Sequence, residues 1–308
     1  MTAASRCVWC GAPLDERARR LPGRCECAVC GAATTDPWPD DATLDRAYAG
    51  WYRPSSGRFS GPGDLLLQRT RAQLSRRLDA LAPPGPVLDV GAGDGSLLDA
   101  LHLRGREALG LERESSRPDV RAAEIGEVEE RFAAIVFWHS LEHLRAPGAA
   151  LARAAELLQP SGVVVLALPN AGSLQARLFG DSWLALDLPR HLVHIPAPAL
   201  LARLGELGLA VERVSYWRGG QVVFGWLHGL TGLLPGHPNL YDAVRRPEAR
   251  SGGLRGSGRV ATLLAGALLL PVAAALAGLE VALRRGGTVY AEARKPAADT
   301  FAAAEERV

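Results

Sequence analysis

The chain has 308 residues, 48% of them apolar, with 35 basic and 33 acidic side chains and a formal charge of +2. That length holds one full α/β domain and a small appendage around a sizeable core, and so excludes a chain too polar to fold. The charges are mixed along the sequence, so there is no broad basic field to hold a nucleic-acid backbone, and nucleic acid is not the expected partner. Nearly all the basic residues are Arg, with Lys295 the only Lys, a skew that reads as coding bias and carries no functional weight.

All five cysteines fall in the first thirty residues, and the start, MTAASRCVWC, has no apolar run able to act as a secretory signal. The expected compartment is the cytosol, where clustered thiols favour metal over disulfides. Cys7-Val8-Trp9-Cys10-Gly11 and Cys27-Ala28-Val29-Cys30-Gly31 are two C-x-x-C-G knuckles, each ending in a glycine that lets backbone amides turn toward the thiolates. Cys7, Cys10, Cys27 and Cys30 suit a tetrahedral structural zinc with no position left for water. Cys25 reads as a spare thiol, or as a replacement for Cys27 among the ligands. Residues 1–40 contain little that forms a hydrophobic core, so this module is expected to need its metal in order to fold.

Residues 41–63 mix aromatics with turn formers and read as a loosely packed linker. A helix is predicted from Asp64 to Leu81, stopped by Pro83-Pro84-Gly85-Pro86. From Val87 short aliphatic runs alternate with amphipathic stretches, the pattern of βαβ units around a parallel sheet. Strands are predicted at 86–90, 107–112, 120–123, 133–138, 162–168, 211–217 and 288–294, and helices at 96–104, 147–158 and 198–207. Few residues follow Glu112 before the next strand, and Pro118 is among them, so the helix there is a single turn or absent.

Val87-Leu88-Asp89-Val90-Gly91-Ala92-Gly93-Asp94-Gly95 reads as a buried strand ending in a glycine loop that opens a helix. Gly91, Gly93 and Gly95 are spaced G-x-G-x-G, whereas a dinucleotide loop has G-x-G-x-x-G to seat a pyrophosphate. The carboxylates of Asp89 and Asp94 suit a ligand with an ammonium group better than one with phosphates. Glu112 ends the second strand, where an acid can accept both ribose hydroxyls, although a solvated loop acid is the plainer alternative. Glu124 follows the third strand and either meets an adenine amino group or belongs to a solvated Glu-rich face.

Taken together, VLDVGAGDGSLL, LGLERESS, FAAIVFWHSLEHL and LLQPSGVVVLALPN resemble, in order and spacing, class I S-adenosylmethionine-dependent methyltransferases. The similarity covers about residues 64–217, with TVYAEARK as a candidate last strand. It implies a doubly wound, Rossmann-like α/β fold with a seven-stranded, mostly parallel sheet whose last strand is antiparallel. It also implies the cofactor's methionine carboxylate and amine near Asp89 and Gly91 and its ribose on Glu112, with Gly93, Asp94, Gly95, Glu124 and Trp138 as the further candidate cofactor contacts. The family often has an acid before the fourth strand, where this chain has Ala133-Ala134. The double C-x-x-C-G module followed by Thr35-Asp36-Pro37-Trp38-Pro39 resembles a zinc-binding segment found ahead of bacterial methyltransferase domains, which implies help in substrate placement or assembly.

A sulfonium methyl leaves readily, so much of the acceleration can come from holding the acceptor against it, and only acceptors that lose a proton need a base. His139 directly follows a strand's carboxyl end, where open α/β sheets place ligands, and is a candidate base, a cofactor contact or a helix cap. Glu142-His143 reads as structural. His191 lies in a stretch from Phe179 to His194 that resembles the substrate-side loop of some of these enzymes, so it is either acceptor-contacting or a satisfied histidine.

Residues 218–287 form an insertion in which Val260 to Leu279 is uncharged and apolar, bounded by Arg259 and by Glu280, Arg284 and Arg285. It is long enough to span a bilayer, but if 288–294 rejoin the sheet beside 211–217, both ends lie on one side. The expectation is a helical hairpin, with 221–234 as one arm and 260–283, kinked at Pro271, as the other. It would dip into a membrane, pair with a second subunit or cap an apolar substrate pocket. Membrane contact is favoured, which places the protein in the cytoplasm at the inner face of the membrane. Residues 296–308 read as a loose tail. The function expected is methyl transfer to a small, sugar-based or lipid-linked acceptor, with O-methylation first. RNA methylation and a non-catalytic scaffold are the alternatives, and the first lacks the Asn/Asp-Pro-Pro-aromatic segment that base-amine methylases carry.

Overall fold

The computed structural model describes residues 4–49, 62–218, 220–245 and 256–297. Most of the expected tail, residues 50–61 of the expected linker, and residues 219 and 246–255 of the insertion lie outside the described residues.

In chain order the strands are β1 (Arg19–Leu21), β2 (Arg24–Glu26), β3 (Ala33–Thr35), β4 (Val87–Val90), β5 (Ala108–Glu112), β6 (Val120–Ala122), β7 (Phe132–Trp138), β8 (Leu158–Pro169), β9 (Val193–His194), β10 (Ala210–Ser215) and β11 (Thr288–Arg294). The helices are α1 (Asp41–Tyr48), α2 (Pro62–Leu81), α3 (Ser96–His102), α4 (Pro147–Leu157), α5 (Leu174–Phe179), α6 (Ala197–Glu206), α7 (Gly220–Gly232), α8 (Leu240–Val244) and α9 (Gly256–Ala282).

The main sheet has seven strands in the order β10-β11-β8-β7-β4-β5-β6. β4 pairs in parallel with β5 and β7, and β8 continues the parallel run, whereas β11 enters antiparallel between β8 and β10. β4 lies inside the sheet between β7 and β5, and all four of its residues, including Asp89, are buried, as a strand covered on both faces requires. Leu88, Ile135, Leu151 and Leu158 are fully buried, each side chain contributing about 1.5–3 kcal/mol by leaving water. A buried carboxylate, Glu292 on β11, takes a bidentate pair from Arg77 of α2 at 2.8 and 2.7 Å and a bond from the Tyr290 hydroxyl at 2.5 Å. This locks the returning strand to the first helix. No helix forms between β5 and β6, as the short spacing with Pro118 requires.

A second sheet, β1-β2-β3-β9, is antiparallel throughout. Its fourth strand is not part of the N-terminal segment: Ala33 pairs with His194 and Thr34 with Val193. The module also joins the main core. Trp9, Leu14 and Ala32 pack in the same apolar cluster as Leu88 and Ile135, and a Cβ on Gly148 would lie 2.1 Å from the Trp9 carbonyl oxygen, so α4 meets the first knuckle backbone to backbone. The expectation that residues 1–40 contribute little core is corrected on this point, because their few apolar groups are buried against a partner distant in sequence.

The start of the expected linker is a helix instead. Asp40 caps α1 by accepting from the Thr43 amide at 2.8 Å, Leu44 is buried, and the Asp41 carboxylate pairs with Arg145. In the insertion α7 and α9 pack as a pair with α8 between them in the chain, and α9 runs as one element through Pro271. One face of the pair forms a core with Phe179, Trp183 and Leu186, among which Trp226, Ala273 and Ala277 are buried. The pair therefore covers the segment expected on the substrate side.

Candidate active site

The loop after β4 turns sharply because Gly91, Gly93 and Gly95 take φ of +81, +59 and +73°, a region that side chains with a Cβ rarely enter. At Gly91 a Cβ would stand 2.4 Å from Ser140 Cβ, so the loop also passes tightly under the segment after β7. The Gly91 and Ala92 amides donate to the Leu111 carbonyl, and the Gly93 amide donates to Glu112 Oε2 at 2.8 Å. Glu112 thus closes the loop from the end of β5 and keeps lone pairs for further donors. Asp94 is exposed and accepts from the Ser96 amide at 3.1 Å.

Arg117 was not foreseen from the sequence. It lies against Gly95 and is held by Asp99 and Asp119 at 2.7 and 2.8 Å, so its charge is already matched beside the loop. Glu124 is exposed at the sheet edge, and its amide donates to the Glu127 carboxylate at 2.7 Å. The Trp138 ring is covered by the Arg218 guanidinium 4.1 Å from its centroid and meets Tyr290 edge-on. Burial lowers the Arg218 pKa.

His139 stands at the end of β7 with φ of +54°, an uncommon conformation that side chains tolerate at functional turns. Leu141–His143 form a 3-10 turn that opens two residues after His139, and Glu142 Oε1 on it lies 3.5 Å from His139 Nδ1. The other ring nitrogen of His139 is 3.4 Å from Gln221 on α7. Burial alone would raise the Glu142 carboxyl, yet the surrounding imidazoles of His139, His143 and His191 hold it at about 2. Burial and the neighbouring His191 lower His143 to about 4, and the same causes lower His194 to about 3. Glu142-His143, read above as structural, therefore lies between both candidate histidines. The readable signal was the three-residue spacing from His139 to Glu142.

His191 is buried, and its ring centroid is 4.6 Å from that of His143. Its position follows from the N-terminal module. The Thr35 hydroxyl donates to the His191 carbonyl at 2.6 Å, the Thr35 amide donates to the Leu192 carbonyl, and the Leu192 amide donates to the Glu142 carbonyl at 2.8 Å. A strap from β3 through residues 191–192 to the 3-10 turn holds the histidines together.

At the far end of the module, Cys7, Cys10, Cys27 and Cys30 converge. The Cys7–Cys30 and Cys10–Cys27 sulfurs are 3.7 and 3.8 Å apart. The edge of a tetrahedron with metal–sulfur bonds of about 2.3 Å is about 3.8 Å, so the donor set fits a four-thiolate ion and is too open for a disulfide. The Cys30 thiol pulls Cys7 down to about 5 by hydrogen bonding, leaving a thiolate ready for metal. Cys25 is fully buried on β2 opposite Thr34 and stands outside the cluster.

The strand order, with its antiparallel last strand and a glycine loop closed by a strand-end acid, defines a Rossmann-like methyltransferase fold. A profile of the methyltransferase domain family matches residues 66–214. Among solved structures, the [4+2]-cyclase SpnF is 17% identical with a TM-score of 0.48, covering 84% of this chain and 97% of its own. A SAM-dependent methyltransferase from Archaeoglobus fulgidus is 16% identical with a TM-score of 0.45, covering 74% and 94%. Magnesium protoporphyrin IX methyltransferase from Synechocystis PCC 6803, with bound SAM, is 17% identical with a TM-score of 0.42, covering 58% and 91%. No curated protein matches the sequence.

Proposed function

We propose that the protein transfers a methyl group from S-adenosylmethionine to a hydroxyl of a small, sugar-based or lipid-linked acceptor, at the cytoplasmic face of a membrane. The observation that carries the acceptor side is His139, at the strand end beside the glycine loop, with the Glu142 carboxylate behind its ring. The loop residues fit the cofactor: three left-handed glycines leave room for a close approach, and Glu112 keeps lone pairs for a ribose. Bound there, S-adenosylmethionine supplies a methyl on a sulfonium, whose leaving group needs no protonation.

In this reading Gly91 to Gly95 and Asp89 hold the amino-acid arm, Glu112 orients the nucleoside, and Glu124 stands at the adenine rim. His139 Nε2 accepts the proton of the acceptor hydroxyl, and Glu142 stabilises the imidazolium that results. Arg218 offers a charge for an anionic group on the acceptor, because its Nε is buried without a hydrogen-bond partner. The four cysteines bind zinc, and the zinc ribbon places the His191 loop. Replacing His139 by Ala should lower kcat about a hundredfold and leave cofactor affinity unchanged, as read by single-turnover kinetics and calorimetry. His191→Ala should act in the same direction, and unchanged turnover in both variants would remove this cluster from the reaction.

Membrane contact rests on α9, the one helix among the described residues long and apolar enough to cross a bilayer. Val260, Leu264, Leu268 and Val272, spaced i, i+4, are all exposed. Because β10 and β11 are adjacent antiparallel strands, the insertion leaves and rejoins the sheet on one side, so α9 lies in the interface. Leu264→Gln with Leu268→Gln should weaken co-flotation with anionic vesicles by about tenfold for each leucine. Equal flotation of the variant and the unaltered chain would argue against the contact.

A further inference from the structure

Behind His139 three side chains meet with acceptor atoms only. His143 Nδ1 is 3.0 Å from the Arg190 carbonyl oxygen and 2.9 Å from the Tyr48 hydroxyl. A carbonyl cannot donate, so in the unprotonated ring the hydrogen sits on Nδ1 and the lone pair on Nε2. The same holds for His191, whose Nδ1 is 2.8 Å from the Ala185 carbonyl oxygen. Glu142 is 2% exposed, and neither of its buried oxygens has a hydrogen-bond partner. One ligand atom from each of Glu142, His143 and His191 lies within 4.8 Å of the other two.

His139 Nδ1, 3.5 Å from Glu142 Oε1, is too far for a good hydrogen bond, and lone pairs that converge at a largely buried place with no closer donor call for a cation. Both histidines carry the outer support usual for metal ligands, their second nitrogen bonded to a carbonyl that fixes ring and tautomer. Two imidazoles and one carboxylate are the donor set of a borderline transition ion with coordination positions left open. The thiolate cluster differs in chemistry, because four sulfurs close a tetrahedron and leave no such position.

We propose that Glu142, His143 and His191 bind a divalent first-row transition ion, distinct from the four-thiolate site, whose open positions take oxygen atoms of the methyl acceptor. The ion's role rests on the methyl transfer proposed above, but its binding does not. The strap from Thr35 through His191 then has a purpose: it keeps a ligand from a distant loop against the two ligands on the 3-10 turn.

The test is metal analysis of the purified full chain followed by titration with Co2+, read by visible absorption. Zinc plus added cobalt should reach two ions per chain, the second cobalt signal lacking a thiolate charge-transfer band. Glu142→Gln and His191→Ala should each weaken that second ion by at least tenfold, while calorimetry shows S-adenosylmethionine uptake intact. In the unaltered chain, Mn2+ should broaden the ring proton resonances of His143 and His191 and of the adjoining His139 and His194, which needs no variant to fold. A total of one ion per chain, or a second ion indifferent to both substitutions, overturns the proposal. Loss of cofactor uptake in the unaltered chain would instead strike the functional reading.

Discussion

Cys27→Ser should unfold the N-terminal ribbon and abolish turnover, even though the substitution stands outside the methyltransferase core. A structural zinc in a small module contributes roughly 10–16 kcal/mol of apparent binding free energy, which becomes folding free energy when the unbound site does not persist. Cys27 also forms part of the second knuckle, in which its amide donates to the Ala32 carbonyl and its carbonyl accepts from Gly31. Losing that knuckle frees β3, and β3 pairs directly with Val193 and His194 and bonds the backbone of His191 and Leu192. The expected result is early proteolysis within residues 1–40, a lower melting temperature and loss of methyl transfer while S-adenosylmethionine still binds. Strong chelation of the unaltered chain should reproduce all of these. A variant that keeps full turnover would show that the ribbon does not hold the acceptor side.

The second large effect is on the cofactor side. Gly91→Ala places a Cβ on a residue with φ of +81° and 2.4 Å from Ser140 Cβ, in a turn whose neighbours are the buried strand β4 and the 3-10 turn. Backbone strain costs about 1–3 kcal/mol and overpacking about as much again. Each 1.4 kcal/mol is a factor of about ten in affinity, so cofactor affinity should fall by about a hundredfold or more in calorimetry. Unchanged affinity would mean that the loop does not approach the ligand closely.

The strands of the core were legible because each is a short, almost wholly apolar run between glycines and prolines. β4, β5, β7 and β11 fall within a residue of the predicted bounds. β8 starts earlier than predicted, since α4 passes into it at Leu158 without a loop, and Gln159-Pro160-Ser161, which fall between the predicted helix and strand, are carried inside the strand. The linker reading missed α1 because the helix is only 8 residues long, with Leu44 its one buried side chain and a mostly polar remainder beside turn formers. β9 could not be read at all: two residues make no pattern, and their partner lies more than 150 residues away in the ribbon.

The candidate site divides in the same way. The glycine loop and Glu112 are contiguous with their strands, so spacing alone placed them together. The histidine cluster is not local. His143 and His191 meet through the strap from Thr35, and no period in the sequence announces a contact between residues 35, 142 and 191. Glu142 had a local signal, its spacing from His139, but its orphaned oxygens appear only when burial is known. Arg117 and Arg218 sit in irregular segments, where sequence pattern says little about direction.

Calorimetric titration of the purified chain with S-adenosylmethionine and, separately, with NAD and ATP is the most direct measurement of the central claim. One molecule of S-adenosylmethionine should bind per chain and be displaced by its demethylated product, with no heat from either phosphate-bearing nucleotide. A chain that ignores S-adenosylmethionine, or that takes up a nucleotide phosphate at the loop of residues 91–95, would contradict the account.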